Sequence, residues 1–472
     1  MKILVLNQFR GNEADVFRDY LFSFNAHSRH EYHYVHAPRI VDRGFSFAGY
    51  DAIVLFWAYD WLRPGLSPET VQRIADAPAK KLLFLQDEYR SVELARTAIR
   101  RFGVNHMFTI VSAADHDLFY PRSQLPSLEG VHSVLTGYVP DALRSVVAPP
   151  HSERPVDVAY RSRICAYFLG DLAREKQIIA ERFRATAERS GWKHDISTWE
   201  GDRLYGRAYA KFLSRTRCML GTESGASVVD FTGDIQRSCD AYFADHPRAT
   251  YEEVKRLFFA DVDGRVVLRA ISPRVFESAA WGNTLVLHEG EYSGLIRPGE
   301  HFIAVKKDYS NIDDVVAQIN DRSLCERLAA ATHRDLIQSD RYGYRSFVAQ
   351  FDKILAGSVP SVGVAVAPSK AGFYAWNFVR HGQGVIPRGN GFVRVPNVDW
   401  VRMTIRAAIS RVGLNVLRKV SPNPGVVSNL RTGLKYFLAH TWQKLPSGMR
   451  SVLGPALRPV SSWMNRTIFR PF

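Results

Sequence analysis

Short apolar runs alternate with helical stretches up to about residue 147, stop at a proline-rich break, and then start again. In the first series the candidate strands are 2–6, 32–35, 52–56, 81–85 and 107–111, with helical patterns following Asp15, Pro68, Val92 and Asp117. Strands that alternate with helices predict a parallel sheet, because a parallel neighbour is reached only by a long crossover, usually a helix. The break, Ala148-Pro149-Pro150-His151-Ser152-Glu153-Arg154-Pro155, reads as a linker, since prolines remove backbone donors and restrict the residues before them. Beyond it come a strand at 156–160, helices at 171–190 and 205–214, and a strand at 217–220. A short helix at 275–280, strands at 284–287 and 302–305, and helices from Ile312 and Arg345 follow. The expected fold class is α/β, with two Rossmann-like domains, 1–147 and 156–355, facing each other across a cleft.

A chain of 472 residues exceeds one ordinary core, and 46% hydrophobic content excludes global disorder. The formal charge of +15 is placed unevenly. Between 354 and 472 there are 16 basic residues and one acidic residue, Asp399, which leaves 46 of each sign in 1–353. Residues 356–399 read as a Gly/Pro-rich linker, and 400–472 hold 12 basic residues and no acidic one. Ile405, Ile409, Val412 and Val416 share a helical face, while Arg402, Arg406, Arg411 and Arg418 lie mostly elsewhere. Leu430, Leu434, Leu438 and Trp442 outline a second helix, separated from the first by Pro422 and Pro424. Such a basic amphipathic α-helical tail is expected on an anionic membrane surface.

No apolar run approaches the roughly 20 residues that span a bilayer, and the N-terminus lacks the order of a cleaved secretory signal. Cys165, Cys218, Cys239 and Cys325 are scattered, as suits a reducing compartment. The expected location is cytoplasmic, peripheral on the inner face of the cell membrane. Because the surplus charge is confined to the tail and no reading module appears, nucleic acid is not an expected partner.

The segment Ile271-Ser272-Pro273-Arg274-Val275-Phe276-Glu277-Ser278-Ala279-Ala280-Trp281-Gly282-Asn283-Thr284-Leu285-Val286-Leu287 starts a short helix at a proline, places one glutamate in it, ends it at a glycine and runs into a strand. This resembles the C-domain motif of GT-B glycosyltransferases of the retaining, group-1 type. The resemblance continues through Gly290-Glu291-Tyr292-Ser293-Gly294, and in architecture it covers about 1–355. It implies a nucleotide-diphosphate sugar as donor substrate, with no bound cofactor and no metal ligand assigned. Glu277 is then the acceptor of hydrogen bonds from the donor ribose, a role suited to an ionised carboxylate. Arg274, Tyr292 and Gly294 join the substrate-binding candidates, and Arg269 stands where the family often has a second glutamate.

A substitute for that glutamate is Glu223, in Leu220-Gly221-Thr222-Glu223-Ser224-Gly225, where a strand ends in hydroxyls, glycines and one carboxylate. Strand ends of open α/β sheets bind ligands, so Glu223 is a catalytic candidate and Ser224 and Gly225 are substrate-binding candidates. The departing diphosphate needs cations. Arg161, Arg163 and Lys176, with Arg174, resemble the Arg and Lys that serve there. In the first domain Gly11 follows the first strand and permits close backbone approach, while Asp60, Asp87 and Glu88 sit after later strands. An inverting enzyme needs one of these carboxylates as base, whereas a retaining one can pass the acceptor proton to the leaving phosphate.

Asp261-Val262-Asp263 matches a metal-holding pattern of the other large glycosyltransferase fold, but three residues match by chance. His27, His30, His33 and His36 straddle a helix and a strand, so they should not converge on one zinc. The expected activity is sugar transfer to a lipid-linked or surface-polysaccharide acceptor at the membrane face. Its rivals are a sugar-nucleotide epimerase or hydrolase on the same fold, and a non-catalytic scaffold or sensor.

Overall fold

A computed structural model describes residues 1–9, 14–37, 45–57 and 60–358, and the strands β14 (Gln383–Arg388) and β15 (Gly391–Pro396), which pair antiparallel as a hairpin. The helices expected in the basic tail lie outside the described residues.

In the first half, β1 (Lys2–Asn7), β2 (Glu31–His36), β3 (Ala52–Leu55), β4 (Lys80–Phe84), β5 (His106–Thr109) and β6 (Gly130–Ser133) form one sheet in the order β2-β1-β3-β4-β5-β6. Every pair is parallel. Ile3 to Leu6 and all of β3 are buried, so these strands read as unbroken apolar runs, as strands covered on both faces do. The covering helices are α1 (Asp15–His27), α2 (Pro68–Asp76) and α3 (Val92–Phe102). α2 starts where the sequence says it should: Pro68 opens the first turn and the Ser67 side chain accepts the Thr70 N–H.

The second half contains β7 (Val156–Arg161), β8 (His194–Ser197), β9 (Thr216–Gly221), β12 (Thr284–His288) and β13 (Phe302–Val305), all parallel, in the order β13-β12-β9-β7-β8. A two-stranded antiparallel ribbon, β10 (Ser224–Ala226) with β11 (Leu268–Ala270), stands beside it. The helices are α4 (Asp171–Arg189), α5 (Gly206–Ser214), α6 (Asp234–Asp245), α7 (Tyr251–Phe258), α8 (Pro273–Ala280), α9 (Ile312–Asn320), α10 (Arg322–Thr332) and α11 (Tyr344–Ser358). The single helix expected from Ile312 is two, because the Asp321 carboxylate caps Leu324 and restarts the chain as α10. Two apolar layers flank this sheet. One contains Tyr209, Phe212, Phe276 and Ile337, the other Ile179, Phe183, Val286 and Leu328.

The limit expected at 355 falls inside α11, and that helix returns to the first half. Tyr344, Phe347, Val348, Phe351 and Leu355 form its buried stripe. Phe351 lies 4.8 Å from Phe24 and 5.9 Å from Phe84 between ring centroids, and Phe347 lies 5.0 Å from Tyr20. The closing helix of the second sheet thus completes the first domain's core.

Candidate functional site

In the second sheet the strand order reverses between β7 and β9, because the chain leaves β7 for β8 on one side and returns through β9 on the other. Open parallel sheets bind ligands outside the carboxyl ends at such a point. A cleft of about 440 Å3 lies there. Its walls come from the ends of β7 (Tyr160, Arg161) and β9 (Leu220, Gly221), from α4 (Lys176), from the start of α8 (Pro273, Arg274, Glu277), and from the start of α1 in the first domain (Asp15, Phe17).

Cations collect in this cleft. Lys176 has no hydrogen-bond or ion-pair partner among the described residues. Burial pulls its ammonium below the usual lysine range, Arg274 and Arg163 push it further down, and Cys165 and Asp87 oppose them. Three like charges gathered in one cleft, with none of the three in an ion pair among the described residues, form an anion site in electrostatic terms. Arg274 spends one N–H on the Arg161 carbonyl at 2.6 Å, which fixes its guanidinium. Arg163 is exposed. The N-terminal turn of α8 also lines the cleft, and a helix N-terminus presents partial positive charge.

Beside these cations stands Glu277, half-buried, with no side-chain hydrogen bond among the described residues. Burial pushes its carboxyl up to about 7; Arg274 pulls it down while Asp15 and Asp19, from α1 across the cleft, push it up. Tyr209 also feels Glu277 and Arg274. Arg274 thus acts electrostatically on Lys176, Glu277 and Tyr209 alike.

Six sequence-predicted residues thus line one cleft: Glu277, Lys176, Arg161, Arg163, Ser224 and Arg274. Arg161 lines it as structure rather than as a free cation. Its guanidinium is held by Asp195, through the carboxylate at 2.5 Å and the backbone carbonyl at 2.7 Å, and lies over the Phe212 ring. Arg174 points its charge elsewhere, to Glu252 at 3.3 Å and the face of Tyr251 at 4.1 Å.

Glu223 is absent from the cleft wall. Its carboxylate is 2% exposed and accepts the backbone N–H groups of Glu291 (3.1 Å) and Tyr292 (2.7 Å), so it braces the turn that follows β12. That turn needs bracing because Tyr292 and Ser293 both have positive φ. Tyr292 is buried and its hydroxyl donates to the His288 carbonyl, which removes it from substrate contact. Gly294 ends the same turn at φ 72°. Gly225 is required by the ribbon, since a Cβ there would lie 1.8 Å from the Leu268 carbonyl oxygen.

In the first domain, Glu88 is buried, receives the Thr109 hydroxyl and is pushed up to about 7 by burial; it does not line the cleft. Asp87 is exposed at φ 64°, outside the lining but within electrostatic reach of Lys176. Asp60 caps the N–H groups of Leu62 and Arg63. Gly11 lies outside the described residues.

The sequence reading missed Ser162, Thr222, Ser272, Arg203, Tyr205, Tyr209 and Asp15, all on the cleft wall. Ser272 was findable, as a serine immediately before a helix-starting proline. The others come from four separate elements and carry no joint spacing.

Three of the four histidines have separate partners: His27 faces Asp141, His30 faces Asp352, and His33 bonds Glu31 and Tyr50. Asp263 is paired with Lys255. Among the described residues one other cluster, Glu300, His301 and Asp335, brings metal-ligating atoms together. There the His301 Nδ1 accepts the Arg297 N–H and its Nε2 faces Asp335, so neither ring nitrogen has a lone pair to give.

No family model matches the chain, and no curated protein matches it in sequence. Solved structures do match in shape. An alpha-glucosyltransferase in complex with UDP matches over 75% of this chain and 99% of its own, at 12% identity and a TM-score of 0.46. Anabaena HepE in complex with UDP matches over 76% and 100%, at 11% identity and 0.42. TarM matches over 66% of this chain and 56% of its own, at 9% identity and 0.38. These likenesses are distant, none above 12% identity. The expectation that nucleic acid plays no part is corrected, because structures of the alpha-glucosyltransferase with DNA containing an abasic site or a HMU base are among the matches. Confinement of the basic surplus to the tail does not set DNA aside.

Proposed function

We propose that the chain is a glycosyltransferase that takes a sugar from a nucleoside-diphosphate donor held in this cleft. The observation that carries the reading is the placing of a cation group, Lys176 with Arg163 and Arg274, beside the Glu277 carboxylate at the sheet's switch point, with neither the Lys176 ammonium nor the Glu277 carboxylate hydrogen-bonded among the described residues. A nucleoside-diphosphate sugar offers a diphosphate to the first and ribose hydroxyls to the second. In the transfer the bond from the anomeric carbon to the diphosphate oxygen breaks, the acceptor oxygen bonds to that carbon as its proton passes to the departing diphosphate, and the charge developing on the diphosphate falls where the cations are.

A retaining outcome follows from the resemblance of 271–287. A lipid-linked or surface-polysaccharide acceptor at the inner membrane face follows from the one-sided charge of 400–472. Removing everything after Ser358 keeps α11, which the first core needs, and should leave donor binding intact while abolishing binding to phosphatidylserine vesicles. Equal vesicle binding by the shortened chain contradicts the membrane reading. DNA as acceptor is then the outcome to look for.

A thermal-shift screen of nucleoside diphosphates and their sugar conjugates tests the donor class. Selective stabilisation by one base is expected, because a ligand that binds only the folded state raises the melting temperature. No stabilisation by any of them at millimolar concentration contradicts the proposal.

A further inference from the structure

We propose that residues 228–233 form a latch that holds the two Rossmann-like domains together at the cationic end of the cleft, and that this latch regulates the donor site inferred above. The segment leaves the second domain directly after β10, whose Ser224 lines the cleft. It is rooted there by Ser227, whose N–H donates to the Leu169 carbonyl and whose hydroxyl accepts the Leu172 N–H, both at 3.1 Å. It then crosses to the first domain. The Asp230 N–H donates to the Tyr89 carbonyl and the Glu93 N–H to the Phe231 carbonyl, each at 2.9 Å, and Asp230 pairs with Arg90 as an isolated parallel bridge.

Both partners need this contact. Glu93 is in the first turn of α3, where backbone N–H groups have no intrahelical acceptor. Ser91, at the cap position, is left-handed at φ 49° and makes no side-chain cap. The carbonyl of Phe231, from the other domain, does that work. The Phe231 ring lies 5.6 Å from Phe119 and beneath the Arg96 guanidinium at 5.8 Å. Asp230 is 2% exposed, and its carboxylate accepts the N–H groups of Gly233 (2.8 Å) and Gln236 (2.9 Å), which sets the strap's shape and starts α6.

The receiving turn is the one that carries Asp87, whose charge reaches Lys176. A second tie lies beside it, Arg90 over the Phe168 ring at 5.2 Å. The latch therefore connects the loop after β9 in the donor cleft to the turn after β4 opposite it. Opening the domains requires breaking two backbone hydrogen bonds, one of them between buried residues, and withdrawing an aromatic ring, and loop 222–227 moves with them.

Amide-resolved hydrogen exchange on the full chain, with Phe231→Ala and Asp230→Asn, tests the latch. In the wild type the Glu93 and Asp230 amides should be protected. In each variant they should exchange faster by about tenfold or more, with the amides of β7 and β9 unchanged as evidence of an intact fold. Added UDP should slow exchange in both α4 and the turn 86–90 of the wild type, but only in α4 of the variants. Wild-type exchange at Glu93 and Asp230 in both variants overturns the latch. UDP that protects neither segment in the wild type contradicts the donor site instead, and the first comparison then decides the latch alone.

Discussion

Glu277 is a carboxylate held near neutrality, and that gives it a pH signature. Burial raises its carboxyl to about 7, so at pH 6 it is mostly protonated and at pH 8 mostly ionised. Only the ionised form is a pure acceptor for donor hydroxyls. The UDP affinity of the wild type relative to Glu277→Gln should therefore rise by about tenfold between pH 6 and pH 8. The ratio cancels titration of UDP itself, and a flat ratio in calorimetry contradicts the role. Glu223 has the opposite character. Glu223→Ala strands two backbone N–H groups and should cost about 1–3 kcal/mol, seen as a lower urea midpoint, with UDP affinity within about twofold. An unchanged midpoint with lost UDP binding would make it a ligand contact after all. Both residues are glutamates near glycines, and only burial and partners separate them. Nothing in the local sequence of Glu223 shows that its acceptors' partners lie 68 and 69 positions away.

The ribbon β10–β11 depends on one glycine. Gly225 has φ 119°, and its Cα approaches Leu268 so closely that any side chain meets backbone. Gly225→Ala should destabilise the protein by about 2 kcal/mol or more, read from the urea midpoint, and no change would mean that the ribbon shifts freely. Among elements, legibility followed burial. β1, β3 and β12 are apolar runs buried almost throughout, and each was visible in the sequence with its position within a residue or two. β6 reads Gly-Val-His-Ser and β8 His-Asp-Ile-Ser, both at sheet edges, where half-exposed residues dilute the apolar pattern. The helical pattern after Asp117 yields only one turn, His116–Phe119, since the chain is drawn back toward β6. The paired helices α6 and α7 were unread for a related reason: much of their surface is exposed, and few of their apolar residues, Cys239 in α6 and Tyr251 and Val254 in α7, are buried.

Across the whole described body, the two domains are tied by the linker, by α11 returning to the first core, and by the strap at 228–233. The domain count and the cleft followed from the repeated strand–helix alternation. Strand order did not, because it is set by which crossovers pass on which side, and the site depends on it: the switch between β7 and β9 gathers Lys176 and Glu277, 101 positions apart. The most direct measurement is a calorimetric titration of UDP into the wild type, Lys176→Ala and Glu277→Ala at pH 8. Binding is expected in the wild type, weaker by about tenfold or more in each variant, as loss of a charge-assisted hydrogen bond implies. Equal UDP affinity in all three proteins, or none in a folded wild type, would contradict a nucleoside-diphosphate site in this cleft.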